Sequence, residues 1–222
     1  RRSLSTGYVP KAFRKAIIVP LFKGSPDKEL DPHDSASYRP ISLTSALAKC
    51  LETIVGFRFD HLWRPDPVQF AYQQHKCTED ALAMVVDHIA DETNTYYPYF
   101  ARRKNKRKLV REYRRKRCVA VMIDFSGAFD RVNHDLLTAM LYKKIQSLEV
   151  CRWLSNFVTG RHAKVRLNNT FSEYRKVTTG VPQGSVTGPK LFTLYVDDLL
   201  KTLNALPDIH AFMFADDLSI IS

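Results

Sequence analysis

The sequence has little of what would place it in several common classes of protein. Its four cysteines are widely separated, with no Cys-x-x-Cys pair and no histidine at finger-like spacing, which predicts a reduced intracellular compartment and no structural zinc. No apolar run approaches the roughly 20 residues needed to span a bilayer. The opening residues lack an initiator methionine and a signal peptide's apolar stretch, so we expect an internal part of a longer protein.

Apolar material is plentiful. Hydrophobic residues make up 45% of the 222 residues and aromatic residues 11%, which predicts one large domain or two closely joined subdomains. Apolar runs predict strands at 16–22 and 119–124, and we expect the second to be central and buried. Arms at 212–214 and 218–221 predict one hairpin, and another is expected after 164–167. Helices and strands alternate without a glycine-rich nucleotide fingerprint, which predicts an α+β fold with a mostly antiparallel sheet.

Helices are predicted where apolar residues recur at helical spacing. One runs from about residue 44 to 59. Its apolar face is expected to consist of Leu47, Leu51, Ile54 and Val55. A second helix begins near Thr78, and Asn133 can cap a third. Residues 96–117 mix aromatic and charged side chains without a clear period, so we interpret them as an insertion or a flexible loop.

The net charge of +11 is concentrated in one segment. Between residues 102 and 117, eleven basic residues stand against Glu112 alone, which leaves 23 basic and 22 acidic residues elsewhere. Such a run favours contact with a phosphate backbone through counterion release, although a solvated loop or a nuclear-import signal would have the same composition. The basic residues are Arg102, Arg103, Lys104, Lys106, Arg107, Lys108, Arg111, Arg114, Arg115, Lys116 and Arg117.

Two acidic positions are typical of metal-dependent phosphoryl chemistry. Asp216 and Asp217 stand between short apolar arms, and Asp124 closes the strand predicted at 119–124. If the two strand tips lie side by side, their oxygens can bridge two magnesium ions that clamp the attacking and leaving oxygens. An Asp-Asp pair in an ordinary surface turn would look the same, so the pair alone does not decide.

The stretch 180–192 contains three glycines, two prolines and Gln183 ahead of a helical pattern. Its backbone N–H groups could approach a phosphate or a base closely, and the Gln183 amide can donate or accept a hydrogen bond.

Four ordered motifs give the sequence a family resemblance. They are Tyr-Arg-Pro-Ile-Ser-Leu at 38–43, the stretch at 123–132, the stretch at 180–192, and Phe-Ala-Asp-Asp at 214–217. In this order they resemble the reverse transcriptases of non-LTR retrotransposons, over nearly the whole chain. The resemblance implies a right-hand polymerase, with a fingers-like region at 1–117, a partial antiparallel palm with packed helices at 118–222, and part of 133–190 packing with the fingers.

The resemblance also implies roles for single residues. Asp124 and Asp216 match the metal ligands, Asp217 supports them, and the Phe125 carbonyl faces a metal. Phe129 matches the aromatic residue that excludes a sugar 2′-hydroxyl. The residues implied to contact the incoming nucleotide or its triphosphate are Gln183, Arg39 and Lys23.

A second acidic box, Tyr-Val-Asp-Asp at 195–198, resembles the retroviral version of the aspartate motif more closely than 214–217 does. Leucines recur around it at helical spacing, however, so we place Asp197 in a helix and assign the metal site to Asp216.

The match fails at 69–80, where Ala71, Gln73, His75 and Lys76 replace the family's glycines and arginines. Losing an arginine removes a bidentate phosphate partner, which puts template or nucleotide contacts there in doubt. We also expect the last strand to form a sheet edge, and the chain by itself to extend primers weakly or not at all.

The implied activity is RNA-directed DNA synthesis with two Mg²⁺ ions, or Mn²⁺ in their place. The implied partners are an RNA template, a DNA primer, a dNTP and further domains such as a thumb and an endonuclease, in an intracellular, nuclear location and without a membrane. An RNA-templated RNA polymerase and a non-catalytic remnant that binds RNA through the basic segment remain open alternatives.

Overall fold

The structure is a computed structural model that describes residues 2–24, 30–94, 96–101, 110–115 and 117–222. The chain forms two compact units, each made of two stretches. The first unit consists of Arg1–Pro65 and Ser126–Val196, and the second of Asp66–Phe125 and Asp197–Ser222. The predicted division into fingers and palm at residue 117 stays a prediction. Among the described residues no helix is both long and apolar enough to cross a membrane.

The first unit contains a mixed sheet. Strands are numbered in chain order, and β3 to β5 belong to the second unit. The strands of the first unit are β1 (Lys15–Phe22), β2 (Tyr38–Thr44), β6 (Arg161–Leu167), β7 (Thr170–Phe171) and β8 (Arg175–Val177). Strand β1 pairs antiparallel with β2 and parallel with β6, while β7 and β8 both pair antiparallel with β6. The hairpin expected after residues 164–167 is confirmed, and its turn places Asn168 at φ 52°.

The helices of the first unit surround its core. They are α1 (Arg2–Thr6), α2 (Ala46–Leu62), α4 (His134–Lys144), α5 (Leu148–Val158) and the start of α6 (Gly188–Asn204). Asn133 caps α4 as predicted, because its side-chain oxygen accepts the Leu136 backbone N–H at 2.9 Å. The largest fully buried side chains of this core include Leu137, Leu141, Trp153, Leu154, Phe157, Leu191 and Leu194.

The predicted apolar face of α2 is correct in part. Of the predicted residues, Val55 is buried and Leu51 packs against the core, whereas Leu47 and Ile54 are exposed. The buried apolar positions of this helix are Ala48, Val55 and Phe59. These three positions lie on one face at helical spacing, and Glu52 shares that face and is fully buried. The helix also begins at Ala46 and not at residue 44, because β2 continues to Thr44.

The second unit carries α3 (Thr78–Asn94), which begins where predicted, and two antiparallel sheets. One is a hairpin of β3 (Tyr96–Ala101) and β4 (Val110–Arg115). Of the two interpretations of 96–117, a flexible loop is therefore wrong at these strands, since tyrosine, phenylalanine and valine favour extended backbone, and an insertion stays a prediction. A second core forms around Phe70, Val85, Phe212 and Ile221.

The other sheet of the second unit has the order β5-β10-β9, with β5 at Ala120–Asp124, β9 at His210–Phe214 and β10 at Asp217–Ile221. Two expectations are corrected here. Strand β5 is exposed along all five residues and pairs only through β10 in this sheet, so it is neither central nor buried. The last strand, β10, is paired on both sides and does not form the edge. An apolar run predicts a strand but not which neighbours cover it.

Candidate active site

The aspartates predicted to bind metal come together in the second unit. Strands β10 and β5 are antiparallel, and their register places Asp217 directly opposite Asp124. Directly opposed residues in such a pair present their side chains on the same face of the sheet. Asp216 lies in the turn from β9 to β10, as the predicted hairpin requires. Phe125 follows Asp124 at the end of β5.

The charges of Asp216 and Asp124 act on the Asp217 carboxyl. Partial burial raises the pKa of the Asp217 carboxyl, and the negative charges of Asp216 and Asp124 raise it further. Burial also raises the pKa of the Tyr72 hydroxyl, and the charge of Asp216 adds to that shift. Negative charge is therefore concentrated at this end of the sheet, where a cation would be stabilised.

The donor set fits a hard divalent cation, because Mg²⁺ and Mn²⁺ prefer carboxylate oxygens. Among the described residues, however, no group of three His, Cys, Asp or Glu side chains is arranged to hold an ion by itself. Mg²⁺ commonly takes one or two carboxylates and completes its shell with water and substrate phosphates. The cluster suits that incomplete kind of site better than a closed protein cage.

A residue that the sequence did not single out supports the turn. Gln69 is almost fully buried, and its side-chain oxygen accepts the backbone N–H groups of Ala71 at 3.0 Å and Ala215 at 3.2 Å. Gln69 lies at the start of the segment 69–80, in which the family's glycines and arginines are replaced.

Gln183, predicted to lie beside the nucleotide, has a carboxylate partner in the first unit. The Gln183 amide donates to Asp130 Oδ2 at 2.9 Å. Burial raises the pKa of the Asp130 carboxyl, while the hydrogen bond from Gln183 and the positive charge of Lys23 oppose that shift. The structure thus brings Gln183 to Asp130, a carboxylate to which sequence reasoning gave no role, and the charge of Lys23 acts on the same carboxylate.

The loop that carries Gln183 is fixed on both sides. The Gln183 carbonyl accepts the Ser42 N–H from β2 at 2.7 Å, and β2 also carries the exposed Arg39. At the other end of the loop, Glu52 Oε2 accepts the N–H groups of Val186 at 2.8 Å and Thr187 at 3.2 Å. Glu52 belongs to α2 and is fully buried.

These contacts correct one expectation. The N–H groups of Val186 and Thr187 are bound by Glu52, that of Ser185 by the Pro182 carbonyl, and that of Gly188 by the Ser185 hydroxyl. Backbone donors at 185–188 are therefore satisfied within the protein and do not face a phosphate. The Gln183 side chain remains the group predicted to contact the nucleotide.

The positive charge of a buried arginine acts on the Glu52 carboxylate. Burial raises the pKa of Glu52, and the positive charge of Arg161 is among the influences that oppose it. Arg161, at the start of β6, is 2% exposed, and burial lowers its pKa to about 10. Its guanidinium donates to the Phe157 carbonyl at 3.2 Å and lies 4.7 Å from the centre of the Phe157 ring.

Phe129 is positioned by its ring and by its backbone. The ring stacks on Phe192 with centroids 4.6 Å apart and planes 18° apart, and it packs against the first core. Its carbonyl accepts the Val181 N–H at 2.8 Å. The role of Phe129 against a ribose stays a prediction, but the structure shows that the ring orientation is set by packing.

The second acidic box has a structural environment. Asp197 lies within α6, as predicted, and is 2% exposed. Its carboxylate accepts the Asp66 N–H at 3.1 Å and pairs with Lys201 at 2.8 Å. Both oxygens are therefore engaged by groups of its own unit.

Part of the basic segment falls in and next to β4. Residues 102–109 and 116 lie outside the described residues, and so do the nucleic-acid contacts predicted for Arg102, Arg103, Lys104, Lys106, Arg107, Lys108 and Lys116. Arg111, Arg114 and Arg115 fall in β4, and Arg117 follows it. Their contact with nucleic acid stays a prediction.

Comparison with solved structures identifies the fold. The chain is similar to apo telomerase from Candida tropicalis with a TM-score of 0.59 at 11% sequence identity, over 97% of this chain and 45% of that one. This likeness confirms the predicted α+β polymerase fold.

Sequence comparison then identifies the family. Residues 26–222 match the model of the family described as reverse transcriptase (RNA-dependent DNA polymerase). The chain belongs to this family, and the resemblance to reverse transcriptases of non-LTR retrotransposons is confirmed.

Named relatives fit the same assignment. The chain is 32% identical, over 88% of its length, to a probable RNA-directed DNA polymerase from transposon BS of Drosophila melanogaster. It is 31% identical, over all of its length, to a retrovirus-related Pol polyprotein from a type-1 retrotransposable element R1 of Bradysia coprophila. The chain spans 19% of the first relative and 20% of the second, about a fifth of each.

Proposed function

We propose that this chain carries the nucleotidyl-transfer site of an RNA-directed DNA polymerase, which adds a dNTP to a DNA primer on an RNA template. The observation that carries the proposal is the opposed pair Asp124 and Asp217, with Asp216 in the adjoining turn. Three carboxylates at the end of one sheet are a costly arrangement unless a cation neutralises them.

In this proposal Asp124, Asp216 and the Phe125 carbonyl hold the metal, and Asp217 adds negative charge beside them. Two Mg²⁺ ions, when bound, supply charge neutralisation on the phosphoryl oxygens and lower the pKa of the primer hydroxyl. Gln183, held by Asp130, and the cations Lys23 and Arg39 orient the nucleotide and its triphosphate. Phe129 disfavours a ribose 2′-hydroxyl sterically.

The proposed partners are the RNA template, the DNA primer and the remaining domains of a longer polyprotein, with a thumb and an endonuclease among them. The basic residues between 102 and 117 are proposed to contact the nucleic-acid backbone through counterion release. The proposed location is nuclear, where such an enzyme meets its DNA.

The proposal is tested by single-nucleotide extension of a DNA primer on RNA with Mg²⁺ and dNTPs, comparing Asp216→Asn with Asp197→Asn. We expect Asp216→Asn to lose about 100-fold or more in rate, because a metal ligand contributes several kcal/mol to transition-state stabilisation. Asp197→Asn retains an oxygen for the Asp66 N–H and should keep most of the rate.

The opposite result, loss with Asp197→Asn alone, would move the metal site to the second box. Preference for ribonucleotides in the same assay would indicate an RNA polymerase. RNA binding without any extension by the wild-type chain, lost when residues 102–117 are deleted, would indicate the non-catalytic remnant.

A further inference from the structure

The turn that presents Asp216 has an unfavourable backbone conformation. Ala215 has φ 56°, in the left-handed region that residues with a Cβ rarely adopt. Asp216 follows Ala215 directly, and the next residue, Asp217, begins β10. The placement of both carboxylates therefore depends on whatever holds Ala215 in this conformation.

Gln69 holds Ala215 from both of its backbone groups. The Gln69 side-chain oxygen accepts the Ala215 N–H at 3.2 Å, and its amide nitrogen lies 3.5 Å from the Ala215 carbonyl oxygen. The same side-chain oxygen accepts the Ala71 N–H at 3.0 Å. With 2% of its surface exposed, Gln69 has no water to replace these partners, so the hydrogen bonds are costly to lose.

The position of Gln69 is itself fixed by its neighbours. The Asp66 carbonyl accepts the Gln69 N–H at 3.0 Å, and Asp66 Oδ1 accepts the Val68 N–H at 3.1 Å. The Asp66 N–H in turn donates to Asp197 in α6. The buried Asp197 therefore anchors the turn from which Gln69 projects.

The segment is also tied to β9. The Phe70 N–H donates to the Met213 carbonyl at 2.8 Å, and the Met213 N–H donates to the Val68 carbonyl at 2.9 Å. Residues 68–70 thus run as a short extra strand beside β9, with Gln69 level with Met213. Gln69 reaches Ala215 from an element that is paired to the same hairpin.

We propose that Gln69 is a positioning residue for the catalytic carboxylates, acting through the backbone of Ala215. Its amide keeps the turn in the left-handed conformation, so that Asp216 and Asp217 stay in place opposite Asp124. A neutral amide suits this position, because a charged carboxylate would add repulsion to a site that already holds three. The inference rests on the proposed function for its consequence in catalysis, and on geometry alone for the contact.

The test compares Gln69→Met with Gln146→Met in the whole chain. Methionine has nearly the shape of glutamine but accepts no such hydrogen bonds, and Gln146 is exposed in the first unit. We expect hydrogen exchange of the Ala215 amide, followed by NMR, to accelerate about tenfold or more in Gln69→Met only, as for one lost hydrogen bond.

The consequence for the carboxylates is measured by Mn²⁺ binding, using electron paramagnetic resonance, and by single-nucleotide extension. In Gln69→Met we expect weaker Mn²⁺ binding and a rate about 10 to 100 times lower, because small displacements of reacting groups cost rates of this order. The KM for dNTP should be unchanged, which a general loss of structure would not produce. Gln69→Glu keeps the acceptor oxygen and should retain the slow exchange of Ala215 while its carboxyl is protonated, whereas the ionised carboxylate adds the repulsion described above.

Two results would overturn the inference. One is an Ala215 amide in the wild-type chain that exchanges as fast as an unprotected turn amide, a result that needs no variant to fold. The other is a folded Gln69→Met chain with the Ala215 exchange, Mn²⁺ affinity and rate of Gln146→Met. Failure of the proposed function looks different, because the wild-type chain would then extend no primer while the Ala215 exchange and Mn²⁺ results still distinguish the variants.

Discussion

Two loops carry the predicted site residues, and they are held by side chains of opposite character. The turn at Ala215 and Asp216 is held by Gln69, a neutral amide. The loop from Gly180 to Thr187 is held by Glu52, a buried carboxylate that accepts two backbone N–H groups just before α6. Both supporting residues are almost inaccessible to water.

The difference follows from the charge that each loop already presents. The turn carries two aspartates and faces a third, so an anionic support would raise the pKa of Asp217 still further. The loop before α6 presents N–H groups that have no acceptor within the helix itself, and at a helix N-terminus the helix dipole favours negative charge. Each buried support therefore complements the electrostatics of the loop that it holds.

The largest effect is expected where the support is charged. Glu52→Ala should destabilise the protein by about 2–5 kcal/mol, because it leaves the Val186 and Thr187 N–H groups without their acceptor. It also removes the negative charge that acts on the buried Arg161. The free energy of unfolding, measured with urea, checks this value.

Glu149→Ala is the matched control. Glu149 lies in the same unit and pairs with Arg58 at 3.6 Å, but both side chains are about half exposed, so its removal should cost only about 0–1 kcal/mol. Equal losses in the two variants would break the comparison. A double-mutant cycle with Arg161→Met would sharpen it, since a coupling of about 0.5–3 kcal/mol is expected between interacting neighbours.

Much of this organisation could be predicted from local patterns. The Asn133 cap, the start of α3, the hairpin around Asp216 and the helical position of Asp197 all follow from spacing within about 15 residues, and the structure has each of them. Local hydrogen bonding and periodicity decide such features, so no knowledge of distant residues is needed.

The supporting residues could not be predicted in this way. Gln69 and Ala215 are 146 residues apart in the chain, and Glu52 and Val186 are 134 apart. Only the sheet and helix pairings bring them together. A signal for Glu52 did exist, because it follows Ala48 by four residues and precedes Val55 by three, on the face that is in fact buried. The predicted face included Val55 but took Leu47 and Ile54 in place of Ala48 and Glu52.

A smaller effect is expected at Gly180, where the loop from Gly180 to Thr187 begins. Gly180 has φ 85°, and a Cβ there would lie 2.8 Å from the Asp130 backbone. Gly180→Ala should cost about 1–3 kcal/mol through strain, and it should displace Asp130 from Gln183. Thermal unfolding measures the loss, and the rate of nucleotide addition reports the displacement.

Gly56→Ala is the control for this substitution. Gly56 lies inside α2, where the nearest atom to a new Cβ is the flexible Lys190 ammonium at 3.5 Å. Alanine favours a helix interior by about 0.5–1 kcal/mol over glycine, so this change should stabilise the chain. The same sign of effect at both glycines would show that the loop does not depend on the close approach of Gly180 to Asp130.

The smallest effect is a change in pH dependence, and it distinguishes the charged support from the neutral one. Because burial raises the pKa of Glu52 above its ordinary value of 4.5, the folded state binds this proton more tightly than the unfolded state does. The stability that Glu52 contributes is then greatest below about pH 4.5 and declines as the pH rises toward the raised pKa. Glu52→Gln removes this decline, so the stability difference between wild type and variant should shrink with rising pH in urea titrations.

Gln69→Met replaces a side chain that does not titrate, and its stability difference should stay level over the same range. A level difference for Glu52→Gln would mean that Glu52 is no more costly to ionise in the folded protein than in the unfolded one, and the contrast between the two supports would then rest on geometry alone.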